Sequence, residues 1–400
     1  MRQPQALPSK INLPVSQWAG ALREAALTEP PAHDTNAVLA AFSRHSDFYR
    51  RRLQAVKDWA AVAPLEKNQL RDVPVSDDGT LKEVRTSGTT GQQVSIWNTS
   101  REREFRRALL YRPQLFYPLP AQVRQLVFVD GDWCMQAADW PKQFSYGGVE
   151  YQTWFAGAAG DIDAIRELLE SVRPQLIRGI TSALVRLLME SGQGYRKLGV
   201  SIVAPGGEFL LPEWRALIED GFNAPLLDRY GSQETGAIAW QCPYCNLYHA
   251  NADEILLEPE PDGLIATPLF ISSQPLLRYR LGDQVQIDAS AGDCQVRLPI
   301  LKIAAARRDD WLTDGEGRRV SPLGFQFEQI DGLQAWRVYQ SEDGSLTLYF
   351  DAQQPEVVRP ALAAALCRLV PGRPLQTVEG VWQLKRGGKF KRIVSDCRQD

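Results

Sequence analysis

Between residues 123 and 231, short apolar runs alternate with amphipathic stretches of about a dozen residues. VRQLVFVD reads as a buried strand, and DIDAIRELLESV as a helix that Asp161 can cap. QLIRGI, SIVAPGG and APLLDRYG read as further strands, separated by TSALVRLLMESG and LPEWRALIEDG as helices. Strands alternating with helices of that length give βαβ units and a parallel sheet covered on both faces, so the fold class is α/β. The strands over 176–180, 201–205 and 225–230 are therefore expected in one sheet. Ligands of such sheets bind outside the carboxyl ends of the strands.

The flanks have a different texture. Residues 1–80 carry apolar positions at helical spacing through AVLAAFSRHSDFYRRRLQAV and are expected to form a helical packing region. Residues 253–305, through EILLEPEPDGLIATPLF, PLLRYRLGDQVQI and VRLPILKI, are β-rich and predict a β subdomain. The polar, turn-rich RRDDWLTDGEG at 307–317 is the best linker candidate. The expected organisation is thus a packing region at 1–80, a core at 81–306 and a small α+β domain at 307–400.

Charge excludes some partners. Forty-five Lys plus Arg against 48 Asp plus Glu leave a net charge of -3, so no global field draws the chain to nucleic acid or an anionic membrane. The first twenty residues show no apolar secretory core, and a cytoplasmic location is expected. Six cysteines in 400 residues are too few for a disulfide scaffold.

Four short motifs carry potential chemistry. RTSGTTGQQ at 85–93 is a run of small residues whose amides and hydroxyls can close around phosphate oxygens; a plain hairpin turn accounts for it equally well. APGGE at 204–208 ends a strand with glycines that let a flat base approach the backbone, or is simply a structural loop. RYGSQETG at 229–236 presents Tyr230, Ser232 and Glu234 at a turn, and a Glu beside substrate phosphates can hold magnesium. RYRLGD at 278–283 ends in Asp283, whose carboxylate can accept both hydroxyls of a ribose; for either of these two, a surface turn is the plain alternative. No G-x-x-x-x-G-K-[ST] loop is present, which argues against a P-loop ATPase, and no kinase catalytic loop is present either.

Taken in order, these motifs resemble those of the adenylate-forming superfamily of acyl-CoA synthetases, peptide-synthetase adenylation domains and luciferases. The resemblance extends to ARRDDWL at 306–312, similar to the family's hinge, and GGKFKR at 387–392, similar to its catalytic-lysine motif, so it spans roughly residues 40–395. SDFYRRRL, PLEKNQLRD and the short C-terminal region look closest to the phenylacetate–CoA ligase branch, which includes adenylation-like proteins of secondary metabolism. The resemblance implies a large N-terminal body, a small mobile C-terminal domain, and activation of a carboxylic acid by ATP and magnesium. The acyl-AMP would then pass to a thiol, either CoA or the phosphopantetheine arm of an acyl carrier protein. It further implies that Thr86, Ser87, Gly88, Thr89, Thr90 and Gly91 hold the β- and γ-phosphates, with Glu234 on magnesium. Gly206, Gly207, Glu208 and Tyr230 would frame adenine, with Gly231 and Ser232 in the same loop; Asp283 and Arg307 would take the ribose. Asp309 matches the hinge, and Lys389 the lysine that bridges the substrate carboxylate and α-phosphate. Two positions depart from the pattern: Ala306 stands where glycine is usual and Gln93 where proline or lysine is. An enzyme that stops at the adenylate, one that acylates an amine, and a non-catalytic binder of acyl-adenylates are the alternatives.

Two more groups stand out. Cys242, Cys245, His249 and Cys294 form a Cys₃His set with the spacing of a closed, structural zinc site, against the alternatives of unrelated buried cysteines or a redox pair. Trp133, Phe144, Tyr146 and Gly147 lie between the phosphate and adenine loops, where aromatics beside glycines suit an aryl or heteroaryl acid; core packing is an equal alternative for each.

Overall fold

The computed structural model describes the chain except for residues 1–8, 31, 86–93, 193, 209, 211, 262, 290–291, 306–310, 321–324, 326, 328–329, 382–391 and 398–400. The chain forms two compact units, one of Met1–Gln125, Pro141–Thr153 and Leu227–Ala304, the other of Leu126–Trp140, Trp154–Leu226 and Ala305–Asp400.

In the second unit the alternating pattern folds largely as expected. The Asp161 carboxylate accepts from Ala164 N at 2.9 Å and caps the helix Ile162–Val172. That satisfies one of the amides a helix start leaves without a partner. Ile165, Leu168, Leu169 and Val172 form its buried stripe. The next helix, Thr181–Ser191, ends where Gly192 takes a left-handed φ of 62°. Leu176–Ile180 and Ile202–Gly206 pair in parallel, with Leu176 opposite Ile202.

One expected strand does not join this sheet as a full member. Over 225–230 the link to this sheet among the described residues is a parallel bridge from Leu226 to Val203, supported by Val203 N donating to Pro225 O at 3.0 Å. Pro225 has no N–H to give to the ladder, and the Asp228 carboxylate takes the Arg229 amide at 2.7 Å. The regular strand begins only at Arg229 and runs to Ser232, antiparallel to Gly236–Gln241 in a different sheet.

The C-terminal part of the second unit has its own core. Its sheet runs Leu375–Glu379, Leu346–Ala352, Leu333–Gln340, Ile393–Ser395, backed by the helix Pro355–Leu369. Trp336, Val338, Leu348, Phe350, Leu362 and Leu366 fill the space between sheet and helix, the α+β arrangement its sequence predicts.

The first unit is built on antiparallel sheets. The five-stranded sheet has the order Gln284–Asp288, Ile300–Ala305, Tyr248–Ala250, Gly236–Gln241, Arg229–Ser232. A three-stranded sheet of Ile255–Glu260, Gly263–Pro268 and Tyr279–Arg280 accompanies it. The helices Trp18–Leu27, Thr35–His45 and Asp47–Leu53 put Leu22, Phe42 and Tyr49 into the same core as Ile238, Ile255 and Leu264. No helix among the described residues is long and apolar enough to cross a membrane.

A buried charge network holds this unit together. Arg112 is fully buried and uses all five of its N–H donors: Nε and Nη2 on Leu22 O, Nη1 on Asn251 Oδ1 and Asp253 Oδ1, and Nη2 on Asp253 Oδ2, at 2.7 to 3.1 Å. Burial alone would raise the Asp253 carboxyl, but Arg112 and Lys10 outweigh it and hold the group at about 2. Asn251 passes the restraint on, its amide N donating to Ile238 O at 2.7 Å and Nδ2 to Ala237 O at 2.9 Å. Arg112→Met is therefore expected to cost about 3–5 kcal/mol, because it removes the two Arg112 hydrogen bonds from buried Asp253 and leaves that carboxylate to Lys10 alone among the charged groups, at 2.8 Å. Urea unfolding of the two proteins checks this, and a cost under about 1 kcal/mol would contradict it.

Candidate active site

Sequence and backbone shape the turn that carries Glu234. The hairpin Arg229–Ser232 to Gly236–Gln241 has a bulge at Tyr230/Gly231, which adds local twist. A Cβ at Gly231 would lie 2.3 Å from Gly236 O, and Gly236 has a φ of +80°, so both positions call for glycine. Within the turn, Ser232 Oγ accepts from Thr235 N at 3.1 Å and contacts Thr235 Oγ1 at 2.9 Å. Glu234 is nearly buried at 8% exposure, yet among the described residues its carboxylate receives one long hydrogen bond, from Tyr279 Oη at 3.4 Å. The turn is braced from below by Arg106 of the helix Ser100–Tyr111, which donates to Gln233 O at 3.0 Å and Glu234 O at 2.7 Å. Burial pulls the Arg106 guanidinium down to about 10 against the opposing pull of Glu102 and Glu234, and it stays charged at neutral pH.

Two motifs far apart in sequence meet beside this turn. Tyr230 Oη donates to Asp283 Oδ2 at 2.9 Å, and Asp283 is itself 8% exposed. Tyr279 and Asp283 come from the same RYRLGD segment and reach Glu234 and Tyr230 respectively. The three motif residues Tyr230, Glu234 and Asp283 thus belong to one unit.

The remaining expected residues fall elsewhere. Thr86, Ser87, Gly88, Thr89, Thr90, Gly91, Arg307, Asp309 and Lys389 lie outside the described residues, although the strands Lys82–Arg85 and Ser95–Asn98 that flank the phosphate-loop candidate pair with Arg85 opposite Ser95. Gly206 ends its strand and Gly207 has a φ of +81°, both in the second unit. Glu208 accepts from Ser182 N at 2.7 Å and from Ser182 Oγ at 3.0 Å, so its carboxylate serves the start of the helix Thr181–Ser191.

Of the aromatics, Phe144, Tyr146 and Gly147 sit on a hairpin of the first unit and Trp133 lies in the second, 48% exposed. Phe144 stacks on Tyr151 at 4.8 Å and meets Tyr111 edge-on at 5.1 Å, with the Arg107 guanidinium 5.3 Å from its ring. The Tyr146 hydroxyl is buried with no hydrogen-bond partner among the described residues, and burial pushes its phenol above the usual range.

The thiol and imidazole groups at 242–294 converge. The ligand atoms of Cys242, Cys245, His249 and Cys294 all lie within 4.8 Å of one another. Cys242 Sγ stands 3.7 Å from Cys294 Sγ, and Cys245 Sγ 3.3 Å from His249 Nε2. His249 Nδ1 faces Leu298 O at 2.6 Å; a carbonyl only accepts, so the proton sits on Nδ1 and the Nε2 lone pair points into the cluster. The knuckle is set by Asn246, left-handed at φ 60°, and by Cys242 N donating to Leu247 O at 2.9 Å. Cys242 is buried, Cys245 partly exposed, and Cys294 comes in from a distant segment.

No family profile matches the chain, and no curated protein matches it by sequence. Solved structures do match. A 2-hydroxyisobutyryl-CoA ligase in its postadenylation state, bound to an acyl-AMP, superposes with a TM-score of 0.69 at 18% identity over 95% of this chain and 89% of that one. The chain has the adenylate-forming ligase fold. The same ligase in its thioester-forming state, with acyl-AMP and CoA, gives 0.57 at 19% identity over 97% and 92% of the two chains. An anthranilate–CoA ligase holding anthranoyl-AMP gives 0.52 at 14% identity over 77% and 66%.

Two residues outside the expected set reach the Glu234 turn, Tyr279 and Arg106. Tyr279 lies inside RYRLGD, where Asp283 is the residue whose chemistry suggests a ligand. Arg106 had a signal: Glu102, Phe105, Arg106 and Leu109 recur at helical spacing, so a cation lies on the apolar face of its helix.

Proposed function

We propose that this chain activates a small carboxylic acid, of aryl or heteroaryl type, as its acyl-AMP and then transfers the acyl group to a thiol. The observation that carries the reading is the Tyr230–Asp283 hydrogen bond beside the Glu234 turn, on a chain whose fold matches an adenylate-forming ligase over 95% of its length. It brings two separate motif segments to one place, as a nucleotide site requires.

The chemistry joins two anions, because a carboxylate must approach the α-phosphorus of ATP. The barrier is therefore mainly repulsion and charge spread over phosphoryl oxygens. Asp283 would accept the ribose hydroxyls, with Tyr230 fixing its carboxylate and presenting a ring to adenine. The resemblance assigns Gly206 and Gly207 to adenine, and Glu208 keeps their loop attached to the helix it caps. Lys389 would bring a cation between the substrate carboxylate and the α-phosphate. The Glu234 carboxylate, nearly buried with no salt-bridge partner among the described residues, fits a magnesium ion, which would supply positive charge against the phosphate oxygens. The thiol acceptor would be CoA, as in the solved ligases, or a carrier-protein phosphopantetheine arm. Phe144 and Tyr146 would border the acid, with the unpartnered Tyr146 hydroxyl as a donor to a polar ring substituent. The phenylacetate–CoA ligase branch remains the nearest reading of the N-terminal and C-terminal segments. ATP use with reduced thiols suits the cytoplasm.

The Cys₃His cluster fits zinc in a structural role. Three sulfurs and one oriented imidazole complete a tetrahedral set and leave no open position for a substrate. Its place on the hairpin after Glu234 would tie the strand Gly236–Gln241 to the segment around Leu298.

Incubation with ATP, magnesium, CoA and a panel of aryl, heteroaryl and short aliphatic acids, followed by mass spectrometry, tests the function. Acyl-AMP and acyl-CoA are expected for at least one aryl or heteroaryl acid. Neither product with any acid would overturn the reading in favour of a non-catalytic binder.

A further inference from the structure

The turn that carries Glu234 is not held by its hairpin alone. Arg106 sends two separate guanidinium N–H groups to two consecutive carbonyls of that turn, Gln233 O at 3.0 Å and Glu234 O at 2.7 Å. Its guanidinium carbon lies 5.7 Å from the centre of the Phe270 ring, and Phe270 is 1% exposed, so a buried aromatic face stands beside the fork. Phe270 in turn packs on Phe105, one residue before Arg106, at 5.4 Å. Glu102, one helical turn back, is anchored by Ser272 N at 2.6 Å and Ser273 N at 2.8 Å, so the helix face that presents Arg106 is itself pinned. Space is tight here too: a Cβ at Gly236 would lie 3.4 Å from Phe270 and 3.5 Å from the Arg106 guanidinium.

Arg106 bonds the backbone of the turn and forms no salt bridge with the Glu234 carboxylate, whose hydrogen bond among the described residues is the long one from Tyr279 Oη at 3.4 Å. Drawing both carbonyls to one side turns the intervening peptide, and with it the Cα–Cβ bond of Glu234, to a set direction. A lysine does this less well, because its three N–H donors radiate from one nitrogen and lack the planar fork whose two nitrogens take one carbonyl each.

We propose that Arg106 is a positioning residue for cation binding by Glu234: its bidentate hold on the turn fixes where that carboxylate points, and its loss weakens the metal–nucleotide complex rather than the nucleotide alone. The proposal rests on Glu234 being the magnesium ligand. Outer residues that orient a ligand group typically change metal affinity by about 10–100-fold when removed.

The test uses manganese as a paramagnetic stand-in for magnesium. Free Mn²⁺ is measured by electron paramagnetic resonance during titration with the protein and ATP, for wild type, Arg106→Lys and Arg106→Leu. ATP binding without metal, in EDTA, is measured in parallel. The proposal expects Mn·ATP affinity to fall at least about tenfold in Arg106→Leu and by a smaller but clear factor in Arg106→Lys, with metal-free ATP binding within about twofold of wild type. If Arg106→Leu does not fold, the lysine variant decides, since it keeps charge and stem. Mn·ATP affinity within twofold of wild type in a folded variant, or an equal loss of metal-free ATP binding, overturns the proposal. Failure of the wild-type protein to bind Mn·ATP would instead bring down the ligase reading itself, and this inference with it.

Discussion

A Cys294→Ser variant is expected to lose bound zinc and to melt well below the wild-type chain. Metal analysis should find about one zinc per wild-type chain, since the four ligand atoms lie within 4.8 Å of one another in a single group. The serine oxygen is a poor substitute for a thiolate, and the remaining Cys242, Cys245 and His249 cannot close the site. Zinc peptides that are unfolded without metal gain about 10–16 kcal/mol from binding; here the hairpin already packs Trp240 against Phe116 at 5.4 Å, so a smaller loss, about 3–5 kcal/mol, is expected. Calorimetric melting with and without a strong chelator checks the same point on the wild type. A zinc-free protein that melts at an unchanged temperature would reduce the cluster to buried thiols.

The larger effect on activity is expected from Lys389. Its motif GGKFKR resembles the family's catalytic-lysine segment, and the repulsion between an incoming carboxylate and the α-phosphate is what a cation there would relieve. Lys389→Ala should lower the rate of adenylate formation by about 10²–10³, the range seen when one preorganised charge-stabilising donor is removed. Thioester formation from a supplied acyl-AMP should change far less, because that step joins a thiol to an already activated acyl group. Single-turnover measurements on the two half-reactions separate them, and equal losses in both would argue that Lys389 acts on stability or binding in general.

How much of this was legible in the residues differs from place to place. The strands Gln122–Val129, Leu176–Ile180 and Ile202–Gly206 are legible as apolar runs and the helices between them by signals such as Asp161 and Gly192, whereas Lys142–Tyr146 and Val149–Gly157 mix polar with apolar residues and give no such signal. APLLDRYG departs from the expected sheet for a physical reason: an apolar run names a strand but not its sheet, Pro225 has no N–H to give to the parallel ladder, and the Arg229 amide goes to the Asp228 carboxylate. The Cys₃His group was legible because ligand chemistry restricts spacing more tightly than packing does. Arg106 is harder to see, since SREREFRRALLY carries four arginines, two exposed and two half-buried, and only its place beside the 102, 105, 109 stripe distinguishes it. The role of Glu208 as a helix cap could not be read at all, because Ser182 is 26 residues away and meets it only through the fold.

The most direct test of the central claim is ATP–pyrophosphate exchange with magnesium across a panel of aryl, heteroaryl and short aliphatic acids. The account predicts exchange that depends on one class of acid, strongest for aryl or heteroaryl members, and that falls to near background in Lys389→Ala. Exchange without dependence on any acid, or none with any acid in a zinc-loaded, folded protein, would contradict it.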